Sequence, residues 1–267
     1  MSPRMMIHGV LLSALALPVA AAVVAPDQPV NGISQDELSI RWWQWMTSYP
    51  SAGNPVTDTT GASAGLGSDQ GPVAHPGVFF LAGNFSGNET RSVTIGSDQA
   101  IFLPFVNTVS LIPLFGADEA AVRADAAATL GTVDGLSAKL NGVDVTLPAA
   151  APDLSGYRQM SALFPLTIGA GTIYADLGVP PGTYDSVADG YWLALEPLAP
   201  GQYSLTFTSH ASGTPNVYPE FSLTQTYEIT VQAPVPEPGT WAFMIGGLVV
   251  LGATMRRMRG LRESPTV

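Results

Sequence analysis

No cysteine occurs anywhere in the 267 residues. Disulfides, thiolate-bound zinc and a cysteine nucleophile are all excluded, so stability has to come from burial and backbone hydrogen bonding. Basic residues are nearly as scarce. Between Val23 and Pro238 only Arg41, Arg91, Arg123, Lys139 and Arg158 carry positive charge. Set against twenty carboxylates they leave −15, compared with −11 for the full chain. Such a body repels nucleic acid and anionic lipid surfaces, and nucleic-acid binding is excluded as a role. Solubility at low lysine content accounts for the acidity. Calcium binding is the sharper alternative, but no D-x-[DN]-x-[DN]-G loop supports it.

Histidine is limited to His8, His75 and His210, none of them in an H-E-x-x-H spacing, so no metal site is expected. There is no G-x-S-x-G and no phosphate-binding glycine loop. Carboxylates are plentiful enough to leave a glycosidase pair such as Asp189 and Glu196 open, but their abundance drains that signal of meaning. The expectation is a protein without catalytic residues and without a cofactor.

Long apolar runs are missing too: none reaches the roughly 20 residues of a comfortable membrane span. Two shorter ones bracket the chain. At the N-terminus, Arg4 precedes an apolar stretch from Val10 to Val19, and Ala20 and Ala22 form the A-x-A arrangement that signal peptidase accepts. Residues 1–22 therefore read as a secretory signal helix cleaved at Ala22. At the C-terminus, Trp241 to Met255 is fifteen largely apolar residues, about 22 Å of helix against a hydrocarbon core near 30 Å. Arg256, Arg257, Arg259 and Arg262 follow, and positive flanks stay in the cytoplasm. The expected layout is a body over 23–232, a proline-rich linker over 233–240, a transmembrane helix over 241–255 and a cytoplasmic tail over 256–267.

Within the body, Ser34-Gln35-Asp36-Glu37 has the form of a capping box and predicts a helix start. Leu38, Trp42, Trp45, Met46 and Tyr49 share one helical face, Ile40 and Trp43 flank it, and Pro50 closes it. Three tryptophans in RWWQW can serve as core or as a platform for sugar rings. A second helix is predicted from Asp118 to Leu130, stopped by Gly131. The remainder reads as strand and turn. In LSAKLNGVDVTL (Leu136 to Leu147), Asn141-Gly142 fits a two-residue type I′ turn pairing Leu140 with Val143, Lys139 with Asp144 and Ala138 with Val145. Further strands are predicted at 77–83, 100–112, 191–198, 202–209 and 222–231, while Ser51 to Pro76 reads as a long surface loop. The fold class is mainly β: a single β-sandwich of jelly-roll type with one or two peripheral helices.

Pro236-Glu237-Pro238, the short span and the basic tail stand in an order that resembles the PEP-CTERM sorting signal of Gram-negative bacteria. The resemblance covers about the last thirty residues. It implies an exosortase that recognises Pro-Glu-Pro and removes the anchor, only transient residence in the inner membrane, and a destination on the cell surface or in an exopolysaccharide matrix. The body is similar to a family of exported bacterial β-rich proteins of unknown function, through WWQW, NPVTDTTG, FFLAG, LPFVN and DGYWLALEPLAPGQY. That family often carries two cysteines, at places near Ala64 and Val93 here, and it brings no catalytic residues. The resemblance leaves a noncatalytic surface or matrix protein, with signal peptidase and exosortase as processing partners. A carbohydrate-binding module using Trp43 and Trp192 on polysaccharide is the alternative.

Overall fold

Apolar side chains alternate along some strands and run unbroken along others, and that difference sets out the layers. In the computed structural model, which describes residues 22–68, 77–85, 87–214 and 219–233, the strands form two five-stranded sheets. The first contains β1 (Val78–Phe80), β3 (Ala100–Leu111), β6 (Arg158–Met160), β7 (Phe164–Ile168) and β8 (Gly182–Leu195). The second runs β2 (Gly87–Gly96), β10 (Phe221–Gln232), β9 (Gly201–Ala211), β4 (Val133–Leu140), β5 (Val143–Asp144). Strands β9 and β10 alternate buried and exposed residues, as one-sided strands do. The last ten residues of β8 are all buried.

The reason is visible residue by residue. Phe79, Leu103 and Leu193 join Leu205, Phe207, Tyr227 and Ile229 of the second sheet in one core. Their immediate neighbours Phe80, Phe102 and Trp192 point the other way and join Leu38, Trp42, Trp45 and Met46 of α1 (Gln35–Ser48) in another. The first sheet is therefore buried on both faces. Helix α2 (Glu119–Thr129) packs on β3 and β8, and α3 (Ile173–Asp176) is a single turn. Both long helices fall where the sequence predicts them, α1 from its apolar face and α2 from Asp118 to Leu130.

One edge of β8 pairs with β3. Three segments share the other: β7 against 182–186, β6 against 189–191, and the residues around Val23 against Leu195. Two neighbouring pairs are parallel, β1 with β3 and β2 with β10, where a jelly roll has antiparallel pairs only. Each joins strands that are separated in sequence by at least one strand of the opposite sheet, so no tight hairpin sets their direction.

Several local expectations need correction. Ser34 is the N-cap of α1, but its side chain makes no cap bond. Glu37 is taken by Arg41, 2.9 Å away, and the buried Gln35 reaches back instead, donating to the carbonyls of Ala25 (2.7 Å) and Gln28 (3.1 Å). Helix α2 is capped by Asp118, which accepts from the Ala121 amide at 2.9 Å. Gly131 lies outside the left-handed region that a glycine stop uses. The Asn141-Gly142 turn has φ of 53° and 78°, and the Lys139/Asp144 register is as predicted. However, β5 is only two residues long, Val143 is 64 % exposed, and Thr146 pairs with Ala22 rather than within the hairpin.

The described part of the 51–76 segment is irregular and partly exposed, as a loop is, but it is pinned to the body. Asn54, Val56 and Ala64 are buried, and Asp58 gathers the amides of Thr60, Gly61 and Ser63. Burial pushes the Asp58 carboxyl up, but those bonds and the Thr60 hydroxyl hold it below the usual carboxylate value.

The chain divides between Gln232 and Ala233 into two units. The linker over 233–240 beyond Ala233, the span over 241–255, the basic tail over 256–267 and the signal segment before Ala22 lie outside the described residues. Among the described residues no helix is long and apolar enough to cross a membrane.

Candidate functional site

Asp189 lies in β8, its side chain fully buried, and Arg158 of β6 reaches across to it. Both carboxylate oxygens accept from Nε at 3.2 Å, and Oδ2 accepts from Nη2 at 2.6 Å. The same Nη2 donates to Ala127 O at 2.9 Å, tying α2 to the sheet. Hydrogen bonding to Asp189 raises the Arg158 guanidinium above its ordinary value. Glu196 stands one residue beyond the end of β8 and is exposed. Seven residues along an extended strand span about 23 Å, whereas glycosidase carboxylates lie roughly 5 to 9.5 Å apart. The geometry does not bring Asp189 and Glu196 together, and Asp189 is already committed to an arginine.

The tryptophans are interior. Trp43 is 5 % exposed and Trp192 is fully buried, stacked on Phe102 at 5.2 Å with Trp42 edge-on at 5.7 Å. Trp42 and Trp45 spend their indole N–H groups on the carbonyls of Leu81 (3.0 Å) and Leu66 (2.9 Å). A sugar platform needs rings open to solvent, and Trp43 and Trp192 do not supply one. Beside them a cavity of about 380 Å³ opens between α1 and β3, bordered by Trp43, Met46, Phe105, Tyr174 and Phe221. No residue that lines it is charged, so it offers no carboxylate, histidine or cationic side chain.

Arg91 escapes a reading that looks for motifs. It is 1 % exposed and donates to Gly83 O (3.0 Å), Val56 O (3.3 Å), the Tyr227 hydroxyl (3.1 Å) and Glu89. The Tyr227 hydroxyl donates in turn to Ala82 O at 2.9 Å, and burial raises its pKa. A sequence signal existed: Arg91 shares strand parity with the apolar Val93 and Ile95, which places it inward. His210 lies on β9 against Asp134 (2.5 Å) and Glu220 (3.5 Å), while His75 is outside the described residues. Among the described residues no cluster of side chains could hold a metal ion.

Both ends of the body are pinned. Ala22, the expected cleavage residue, hydrogen bonds within the first sheet, while Ala20 lies outside the described residues. At the other end Gln232 pairs with Gly96 and accepts from the Ser97 amide at 2.8 Å. Immediately beyond, residues 234–259 match the family described as the PEP-CTERM protein-sorting motif. The chain carries a PEP-CTERM sorting signal.

The match takes in Pro236, Glu237 and Pro238, the apolar run from Trp241 to Met255, and Arg256, Arg257 and Arg259. Arg262 falls three residues past it. A PEP-CTERM signal implies export, sorting toward the cell surface, and an exosortase as the processing partner. No curated protein and no solved structure matches the chain, and the resemblance of the body to an exported β-rich family has no support from them. Ala64 and Val93, near the places where that resemblance implies cysteines, are both buried in the core between the sheets.

Proposed function

We propose that this chain is a noncatalytic protein of the cell surface or extracellular matrix, delivered by its PEP-CTERM tail and associated with exopolysaccharide. The motif match at 234–259 carries the reading. What supports a noncatalytic body is the engagement of its candidate groups: Asp189 is held by Arg158, and Trp43 and Trp192 are packed in the interior. In this scheme signal peptidase removes residues 1–22 and the 23–232 body acts as one sandwich-like domain. The 233–240 linker holds Pro236-Glu237-Pro238 extended for the exosortase. The 241–255 helix spans the inner membrane transiently, and Arg256, Arg257, Arg259 and Arg262 keep the tail in the cytoplasm.

Intact-mass analysis of released and membrane-bound protein tests the scheme. The released form is expected to end in or beside Pro236 to Pro238, and Glu237→Ala is expected to insert normally but to be trimmed more slowly. Release of a form that keeps the arginine tail would reduce the segment to a plain anchor.

A further inference from the structure

We propose that the cavity between α1 and β3 binds a neutral, largely apolar small molecule that carries a carbonyl acceptor. Its walls come from four elements: Trp43 and Met46 on α1, Phe105 and Asn107 on β3, Tyr174 on α3 and Phe221 on β10. Aromatic rings make up much of the surface, and Trp43 and Tyr174 meet edge to face with centroids 6.0 Å apart. Such walls favour a flat, apolar body. At about 380 Å³ the cavity stands at the lower end of the range for small-molecule sites, which suits a compact molecule built on fused rings.

Charge and hydrogen bonding narrow the class further. The body is strongly acidic, yet no charged residue lines this cavity. Burial raises the pKa of Tyr174, so its hydroxyl stays neutral as well. An ionised ligand would lose its water there without meeting a counter-charge. Donors, by contrast, are in surplus. The Trp43 Nε1–H and the Asn107 Nδ2 amide are buried without a partner. The Trp192 Nε1–H is also unpartnered, and it lies beside Gly190, the β8 residue opposite Asn107. Trp42 and Trp45 supply the contrast, since each gives its N–H to a backbone carbonyl. Buried donors of this kind call for an acceptor, and the carbonyl oxygen of a bound molecule supplies one. A sugar fits poorly, because its many hydroxyls would be stripped of water against largely apolar walls.

The test titrates the full chain in lipid nanodiscs with prodan, a neutral naphthyl ketone whose emission reports the polarity around its carbonyl, and subtracts the signal of protein-free discs. Saturable binding of one prodan per chain is expected. Trp43→Phe keeps a ring but removes the N–H, and Asn107→Leu removes the amide. Each is expected to raise Kd about fivefold, with melting temperatures measured alongside to show that the variants are folded. Leu223→Trp, which fills the cavity from β10, is expected to abolish the saturable signal. Neither glucose nor the anionic dye anilinonaphthalene sulfonate is expected to displace prodan. Absence of saturable binding, wild-type affinity in both donor variants, or full binding by Leu223→Trp would overturn the proposal. Displacement by the sugar or by the anion would overturn it too, because the site would then take a different class of ligand.

Discussion

Asp189 is fully buried and held by one cation, Arg158, and the asymmetry of that pair makes it informative. Removing Arg158 leaves a buried carboxylate unpaired, so Arg158→Ala is expected to cost about 3–5 kcal/mol. Asp189→Asn, which keeps the shape without the charge, is expected to cost less. Thermal melts of the two variants check the order. His210 offers a pH test. Its hydrogen bond to Asp134 raises the imidazole above its ordinary value and lowers the Asp134 carboxyl below its own. A raised histidine contributes stability that is complete below the unfolded pKa and is lost as pH rises through the folded one. The lowered Asp134 contributes above its unfolded value and loses that contribution as pH falls through the folded one. The pair therefore helps most between about pH 4 and about pH 6.5. Asp134→Asn is expected to weaken the fall in melting temperature that sets in as pH rises above about 6.5. At this scale the sequence is a partial guide: parity places Arg91 inward, but nothing in it announces that Tyr227 and the carbonyls of Val56, Ala82 and Gly83 are waiting there.

Among the elements, those whose signal is local are the ones a sequence reading recovers. Helix α1 follows from its apolar face, and the hairpin turn follows from Asn141-Gly142, whose positive φ values few residues other than Gly and Asn accept. Gly142→Val is expected to unseat the β4–β5 turn and lower the melting temperature. Loss of either Lys139 or Asp144, an exposed pair at 2.8 Å, is expected to cost well under about 1 kcal/mol. An unchanged melt for Gly142→Val would contradict the register. Elements built by neighbours are the ones missed. The front half of β8, GTYDSVADG, contains two glycines and two aspartates and has weak strand propensity of its own. It is a strand because β3 and β7 pair with it on either side. Strand β2 opens on Gly-Asn-Glu-Thr, which reads as turn, yet it pairs with β10 along its whole length. The segment from Ser51 to Ser68 looks like a loop by composition and is folded inward by Asn54, Asp58 and Arg91.

At the scale of the molecule, periodicity tells which side chains are buried but not what buries them. Alternation along β9 and β10 marks an inner face, and the unbroken run in β8 marks two. That α1 covers one face of the first sheet while the second sheet covers the other is a tertiary fact. The division after Gln232 leads to a truncation test. A chain comprising 23–232 is expected to unfold cooperatively in calorimetry, since both core clusters lie within it. A chain ending at Gln225, which lacks Tyr227, Ile229 and Val231, is expected to lose that transition. A featureless trace for the 23–232 chain would mean that the body depends on its termini.

The two-sided burial of β8 also bears on the chain before it folds. Until α1 and the second sheet are both in place, Tyr191-Trp192-Leu193-Ala194-Leu195 is bare on each face, with high strand propensity and no charge within it. Those are the marks of a segment that templates aggregation. Asp185 and Asp189 stand ahead of it, and Glu196 with Pro197 follows directly. These residues act as gatekeepers: three acids and a proline close to the ends of the greasiest strand, where they discourage intermolecular pairing during the interval in which an exported chain has no core to hide it.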